Sequence, residues 1–125
     1  MKKFLVLFFI VSILSSISTQ SHAREWVLVG HNKLVQIYME QDTITQVDTR
    51  WGISYKATMK IVTGYDTLID YYTVSVKHCK AKRGKLDMYM ENGVFVESND
   101  FRIGEDKVMT HVADILCDCG KLVFH

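Results

Sequence analysis

The longest alternation of apolar and polar side chains, residues 51–62, is the feature that most limits the fold. Its apolar positions are Ile53, Tyr55, Ala57, Met59 and Ile61, and mostly polar residues stand between them. Because successive side chains of a strand point to opposite faces, this run predicts a β-strand with one buried and one solvated face. Such strands are typical of antiparallel sheets that are covered on one side only.

Five further segments alternate in the same way or are rich in β-branched and aromatic residues. They are residues 25–30, 34–40, 68–79, 85–91 and 94–97. Turn residues separate most of them, and Asn92-Gly93 is among the strongest hairpin signals because both residues tolerate positive φ. The polar segment 41–50 is predicted to be a connection or short turn.

From Asp106 onward the apolar period becomes that of a helix, and Gly120 is predicted to stop it. The apolar stripe consists of Val108, Val112, Ile115, Leu116 and Cys119. Six strands followed by one helix exclude a parallel, doubly wound sheet. The sequence therefore predicts an α+β fold, an antiparallel sheet of about six strands with one C-terminal helix packed on one face.

Residues 1–23 have the three parts of a secretory signal peptide. Lys2 and Lys3 precede an apolar run, residues 4–14, and Ser21-His22-Ala23 offers a cleavage site between small residues. The run is shorter than the roughly 20 residues that cross a bilayer, so no membrane span is predicted. We expect residues 24–125 to form a single exported domain, periplasmic or secreted.

Charge and motifs exclude several classes of function. Without Lys2 and Lys3 the chain has thirteen basic and fourteen acidic side chains, a formal charge of −1, which gives no reason to expect nucleic acid as a partner. Hydrolase motifs and phosphate-binding loops are absent, and the pair Asp87 and Glu91 is interpreted as solvated charge. We expect a non-enzymatic protein that uses no cofactor.

Five cations fall within nine residues around a predicted hairpin turn. They are Lys77, Lys80, Lys82, Arg83 and Lys85. A structural explanation is a solvated turn whose lysines discourage pairing between sheet edges. The functional interpretation is a contact surface for an acidic protein or glycan, and these residues are the candidate ligand-binding site.

Three cysteines in an exported chain predict one disulfide and one remaining thiol, which would also allow a disulfide-linked homodimer. Cys79 ends a predicted strand, whereas Cys117 and Cys119 lie near the end of the predicted helix. A helical wheel favours Cys119 as the partner of Cys79, but wheel geometry is least dependable beside Gly120, so the pairing stays open here. An alternative function is a small periplasmic metal-binding or thiol protein that uses Cys117 and Cys119.

Several short segments line up in order with a known family pattern. They are Trp26-Val27, residues 35–39, Asp42-Thr43-Ile44, Trp51, Tyr72, residues 76–79 and Ile115-Leu116-Cys117. In these segments the chain resembles the surface-adhesin protein E family of Gram-negative bacteria. The resemblance implies an antiparallel sheet with a packed C-terminal helix, a strand-to-helix disulfide, and binding to host extracellular-matrix or serum proteins.

The resemblance also bears on the cysteines and on location. It places the partner of Cys79 at Cys117, and we predict that bridge with Cys119 as the alternative partner. The adhesin that gave the family its name is lipid-anchored, whereas the first cysteine of this chain is Cys79. The periplasm or the medium is therefore expected in preference to the outer surface.

Overall fold

The computed structural model describes residues 25–124, so the predicted signal peptide lies outside the described residues. Six strands and two helices occur in this part of the chain. The strands are β1 (Trp26–His31), β2 (Val35–Thr49), β3 (Gly52–Thr63), β4 (Thr67–Ser75), β5 (Arg83–Met90) and β6 (Phe95–Arg102), and the helices are α1 (Val76–Ala81) and α2 (Val108–Phe124).

The strands form one sheet in the order β1-β2-β3-β4-β5-β6, with every neighbouring pair antiparallel. Short connections return each strand beside its predecessor, so sequence order and spatial order coincide. The C-terminal helix α2 packs against β1, β2, β3, β4 and β6. The predicted α+β architecture, an antiparallel sheet with a packed C-terminal helix, is confirmed.

From Tyr55 to Ile61 the alternation in β3 corresponds to its burial, whereas Ile53, predicted on the buried face, is exposed and Ser54 is buried. Tyr55, Ala57 and Met59 are buried in the core, whereas Lys56 and Lys60 are only half-buried. Ile61 of β3 is also in the core, and the other strands and α2 complete it with Val29, Ile37, Met39, Ile44, Tyr72, Val74, Leu86, Phe101, Val112, Ala113, Leu116 and Cys117. One sheet face is thus covered by α2, and Lys56 and Lys60 belong to the opposite face.

The prediction that residues 41–50 form a connection is wrong, because β2 continues through most of this segment. The register between β2 and β3 shifts after Glu40. Thr43 bridges the irregularity, since its hydroxyl accepts a hydrogen bond from the Thr58 N–H at 2.9 Å and donates one to the Glu40 carbonyl at 2.6 Å. A bulge of this kind interrupts the period of two and conceals the strand in the sequence.

The prediction that Gly120 stops the C-terminal helix is also wrong, because α2 continues to Phe124. Gly120 is buried against the ring of Tyr55, and a Cβ at this position would overlap the ring carbons. The glycine permits a close approach of helix and sheet. Neither helix in the described residues is long and apolar enough to cross a membrane.

Small residues shape the buried face of α2. Its buried positions are Thr110, Val112, Ala113, Leu116, Cys117 and Gly120. At about 100° per residue, the centre of this face lies roughly 90° from the stripe of large apolar residues. The helix therefore turns Cys117 toward the sheet and leaves Cys119 at the edge of the buried face.

The predicted hairpin at Asn92-Gly93 is confirmed, with Gly93 at a φ of 95°. The Asn92 carboxamide oxygen accepts a hydrogen bond from the Val94 N–H at 3.0 Å, which stabilises the turn. β6 continues beyond its predicted end at residue 97 and reaches Arg102, which pairs with Arg83 at the start of β5. This pairing gathers cations at one end of the sheet.

Candidate functional site

The segment between β4 and β5 is a short helix, so the prediction of a strand that continues through Cys79 is wrong. Ser75 caps α1, and its hydroxyl accepts a hydrogen bond from the His78 N–H at 3.0 Å. Lys82 ends the helix in a left-handed conformation, and its N–H donates to the Cys79 carbonyl at 3.2 Å. A serine N-cap and a left-handed C-cap explain how six residues form a stable turn.

This helix divides the five cations of the candidate ligand-binding site between two clefts. Lys77, Arg83 and Lys85 line one cleft, and Lys80 and Lys82 line the other. The chain reverses at Lys82, so side chains that are neighbours in sequence line different clefts. The predicted site is therefore not one continuous surface.

The first cleft, which we call the basic cleft, has a volume of about 710 Å³ and lies between α1, β5, β6 and the segment after β6. Its cationic lining residues are Lys77, Arg83, Lys85, Arg102 and Lys107, and its acidic ones are Asp100 and Glu105. Arg102 and Lys107 were not among the predicted site residues. Counting back from the Asn92-Gly93 turn would have placed Arg102 opposite Arg83.

Two of these cations are paired inside the cleft. Lys85 forms an ion pair with Asp100, and its hydrogen bond and charge hold the pKa of that carboxyl below its ordinary value. Lys107 lies 3.8 Å from Glu105.

The other three cations of the basic cleft, Lys77, Arg83 and Arg102, are exposed. Within residues 25–124 none of the three forms an ion pair. The exposed charge that remains in the basic cleft is therefore positive.

Aromatic rings form one wall of the basic cleft. The rings of Trp51 and His78 are 5.1 Å apart between centroids, and His78 Nδ1 accepts a hydrogen bond from the Lys85 N–H at 3.2 Å. Burial, followed by the charge of Lys77, lowers the pKa of His78. Gly84 lies directly against this ring and leaves no room for a Cβ. The imidazole is thus fixed in place and favoured in its neutral form.

Asp87 anchors this wall from inside the protein, so its interpretation as solvated charge is wrong. Its side chain is completely buried and accepts hydrogen bonds from Trp51 Nε1 at 3.1 Å and from the Ser98 hydroxyl. Arg50 Nε lies 3.4 Å from the same carboxylate. These three partners compensate the cost of burying a charge and fix the position of Trp51. Glu91, by contrast, is exposed.

The second cleft, about 610 Å³ in volume, is close to electrically balanced. Lys80, Lys82 and Lys121 line it together with Asp114 and Asp118. The acidic side chains of α2 therefore offset the lysines that follow Cys79. This balance makes the second cleft the weaker candidate for an acidic ligand.

The structure joins Cys79 to Cys117, with 5.6 Å between their Cα atoms, and leaves Cys119 as the free thiol. Burial raises the pKa of the half-buried Cys119 thiol. Since Cys117 is bonded to Cys79, it is not available as a thiolate beside Cys119. No group of three or more His, Cys, Asp or Glu side chains in residues 25–124 is arranged to hold a metal ion.

Comparison with family models, curated proteins and solved structures gives no match. The geometry of the basic cleft is therefore the basis for assigning a function.

Proposed function

We propose that this chain is an exported, non-enzymatic binding domain that recognises an acidic ligand in the basic cleft. One observation carries the proposal: Lys77, Arg83 and Arg102 come from different elements, meet at one cleft and have no acidic partner among the described residues. Like charges held together repel one another, and an anionic ligand relieves that repulsion.

The chemistry of the lining suits an anionic group attached to a larger molecule. Arg83 and Arg102 can each present two N–H donors to a carboxylate or sulfate, which favours planar or tetrahedral oxyanions. Trp51 and His78 add ring surface for the neutral part of the ligand. An acidic protein or an acidic glycan meets these requirements, and the resemblance to the surface-adhesin protein E family supports a host matrix or serum protein.

The composition of the cleft supports a binding role rather than a catalytic one. His78 is the only titratable ring among the described lining residues, and no serine, threonine or cysteine accompanies it there. Its Nδ1 atom already accepts a backbone hydrogen bond. A general base needs a nucleophile or water-activating partner within hydrogen-bond reach.

Two variants with equal charge changes test the site. The cleft variant carries Lys77→Gln, Arg83→Gln and Arg102→Gln, and the control carries Lys80→Gln, Lys82→Asn and Lys121→Gln in the second cleft. Asparagine is used at residue 82 because it tolerates the left-handed backbone. Each variant loses three positive charges, so any difference between them reports location rather than net charge.

Binding to immobilised serum and matrix proteins is measured by surface plasmon resonance at several salt concentrations. We expect wild type and control to bind alike, with affinity falling as ionic strength rises above about 0.1 M, where the Debye length is about 10 Å. The cleft variant should lose roughly three- to a hundredfold in affinity, at a typical 0.2–1 kcal/mol for each of three exposed ion pairs. Equal binding by both variants, or binding that is insensitive to salt, would contradict the proposal.

A further inference from the structure

A continuous row of ring and cation contacts leads from the basic cleft across the sheet. Its successive contacts are His78–Trp51 (5.1 Å), Trp51–Arg50 (4.8 Å), Arg50–Phe95 (5.3 Å), Phe95–Tyr89 (5.6 Å), Tyr89–Tyr71 (5.1 Å) and Tyr71–Lys56 (4.1 Å), measured between ring centroids or from a ring centroid to the cationic group. We call this set the aromatic row. It begins at the wall of the basic cleft and ends in β3, near the middle of the sheet.

The aromatic row lies on the sheet face that α2 does not cover. Lys56 stands between the core residues Tyr55 and Ala57, so its side chain points away from the core. Tyr71 and Tyr89 are directly paired across β4 and β5, and Phe95 pairs with Tyr89 from β6. Phe95 is 46% exposed, which leaves this part of the row open to a ligand.

The exposed charge of this face is positive. Lys56 and Lys60 both project from it, and the Lys60 ammonium lies 5.0 Å from the ring centroids of Trp26 and Tyr38. Of the acidic residues of the same face near the row, Glu40 and Asp87 are 9% and 0% exposed, Asp100 is paired with Lys85, and Glu91 is exposed at the end of β5. The face therefore complements an anionic ligand, as the basic cleft does.

The geometry of the rings favours a polyhydroxylated ligand over stacked bases. Tyr71 and Tyr89 are stacked on each other with 14° between their planes, and the Lys56 ammonium lies over Tyr71. Proteins that bind single-stranded nucleic acids stack the bases on free faces of aromatic rings, and this pair of tyrosines does not offer such faces. The half-buried Tyr71 has a phenol hydroxyl that can donate to and accept from sugar hydroxyls, whereas the Tyr89 hydroxyl already has a hydrogen-bond partner in Thr73.

The position of the row also disfavours an added peptide strand. β3, β4 and β5 each have a strand on both sides, so their backbone hydrogen-bonding groups are used within the sheet. An extended peptide binds a sheet by pairing with an edge strand. Contact with the part of the row on β3, β4 and β5 must therefore be made through side chains.

We propose that the basic cleft and the aromatic row bind one extended anionic polysaccharide whose sugars carry sulfate or carboxylate groups. The inference rests on the proposed function, since the basic cleft is its first subsite. Anionic groups bind Lys77, Arg83 and Arg102 in the cleft and Lys56 and Lys60 at the far end. The Tyr71 hydroxyl and the exposed Phe95 ring between them contact the sugars.

Isothermal titration of the full domain with size-defined heparin oligosaccharides, from disaccharide to dodecasaccharide, tests this inference. The row variant carries Lys56→Ser and Lys60→Ser, and its charge-matched control carries Lys33→Ser and Lys121→Ser, two exposed lysines outside the proposed surface. Thermal unfolding of each variant verifies that it is folded. Polyglutamate and single-stranded DNA of matched charge serve as competing ligand classes.

Wild type and control should bind longer saccharides progressively more tightly until the row is filled. The row variant should bind the disaccharide like wild type and lose about three- to tenfold in affinity for the longest saccharide, from two lost ion contacts. Saccharide affinity that does not depend on length, or is undetectable, would overturn the polysaccharide row while leaving the test of the cleft by serum and matrix proteins unaffected. Equal or tighter binding of polyglutamate or DNA would overturn the ligand class.

Discussion

Breaking the Cys79–Cys117 bridge should remove a large share of the stability of this domain. The bridge joins residues 38 positions apart, from α1 at the end of the sheet to α2. On the chain-entropy model, a loop of this length stabilises the folded state by about 4 kcal/mol. Since domains of this size unfold with about 5–15 kcal/mol, we expect the midpoint of thermal unfolding to fall by roughly 15–30 °C.

Urea denaturation of the oxidised protein, the phosphine-reduced protein and the Cys79→Ala/Cys117→Ala variant measures this loss. The reduced wild type is the closest control because only the S–S bond changes. Both cysteines are replaced together, since Cys79 left alone could pair with Cys119. Cys119→Ala removes the half-buried free thiol and should cost about 1 kcal/mol or less.

Three results would refute this reasoning. Peptide mapping without reductant could recover Cys79 joined to Cys119. The Cys119→Ala variant could lose as much stability as the double variant. The reduced wild type could also unfold within about 1 kcal/mol of the oxidised protein, which would mean that packing alone holds α2 on the sheet.

Three further perturbations test the packing and the wall of the basic cleft. Gly120→Ala should lower the free energy of unfolding, measured in urea, by about 1–3 kcal/mol, because its Cβ would overlap an aromatic ring. The control Gly64→Ala should change it little, because the space around Gly64 is open. Equal effects of the two substitutions would contradict the close approach of helix and sheet. Asp87→Ala should lower the free energy of unfolding by about 2–4 kcal/mol and shift tryptophan fluorescence, whereas the control Glu91→Ala should do neither. If Asp87→Ala changes neither quantity, the buried carboxylate contributes nothing to stability. Because the pKa of His78 is below its ordinary 6.5 in the folded protein, the unfolded state binds a proton first as pH falls below about 6.5, and the free energy of unfolding should decline there. In urea denaturation measured across this pH range, His78→Gln should flatten that decline. A pH profile that the variant leaves unchanged would contradict this prediction.

Local patterns in the sequence determined the class of fold. Alternation in β3 and the turn signal at Asn92-Gly93 both report side-chain periodicity and backbone preference, which act over a few residues. The helical period after Asp106 is of the same kind, and the absence of helical segments between the predicted strands led to an antiparallel sheet with one helix. These features could be predicted because they depend on near neighbours in the chain.

The limits of β2 and α2 depend on tertiary contacts instead. The Thr43 hydroxyl replaces a backbone partner in the ladder where β2 is irregular. Gly120 lies inside α2, where its missing Cβ lets the helix pack against the Tyr55 ring of β3. Neither contact leaves a periodic mark in the sequence. The predicted β2 therefore ends too early, and the predicted α2 stops at a glycine.

The candidate site likewise depends partly on the sequence itself and partly on the tertiary structure. The positive charges of Lys77, Arg83 and Lys85 could be predicted from the sequence, because charge is a property of the residue itself. Which cations share a surface depends on the reversal at Lys82 and on the pairing of Arg102 with Arg83, and both are consequences of how distant segments meet. Charge is therefore determined by the sequence, whereas its arrangement into a cleft is decided only by the tertiary structure.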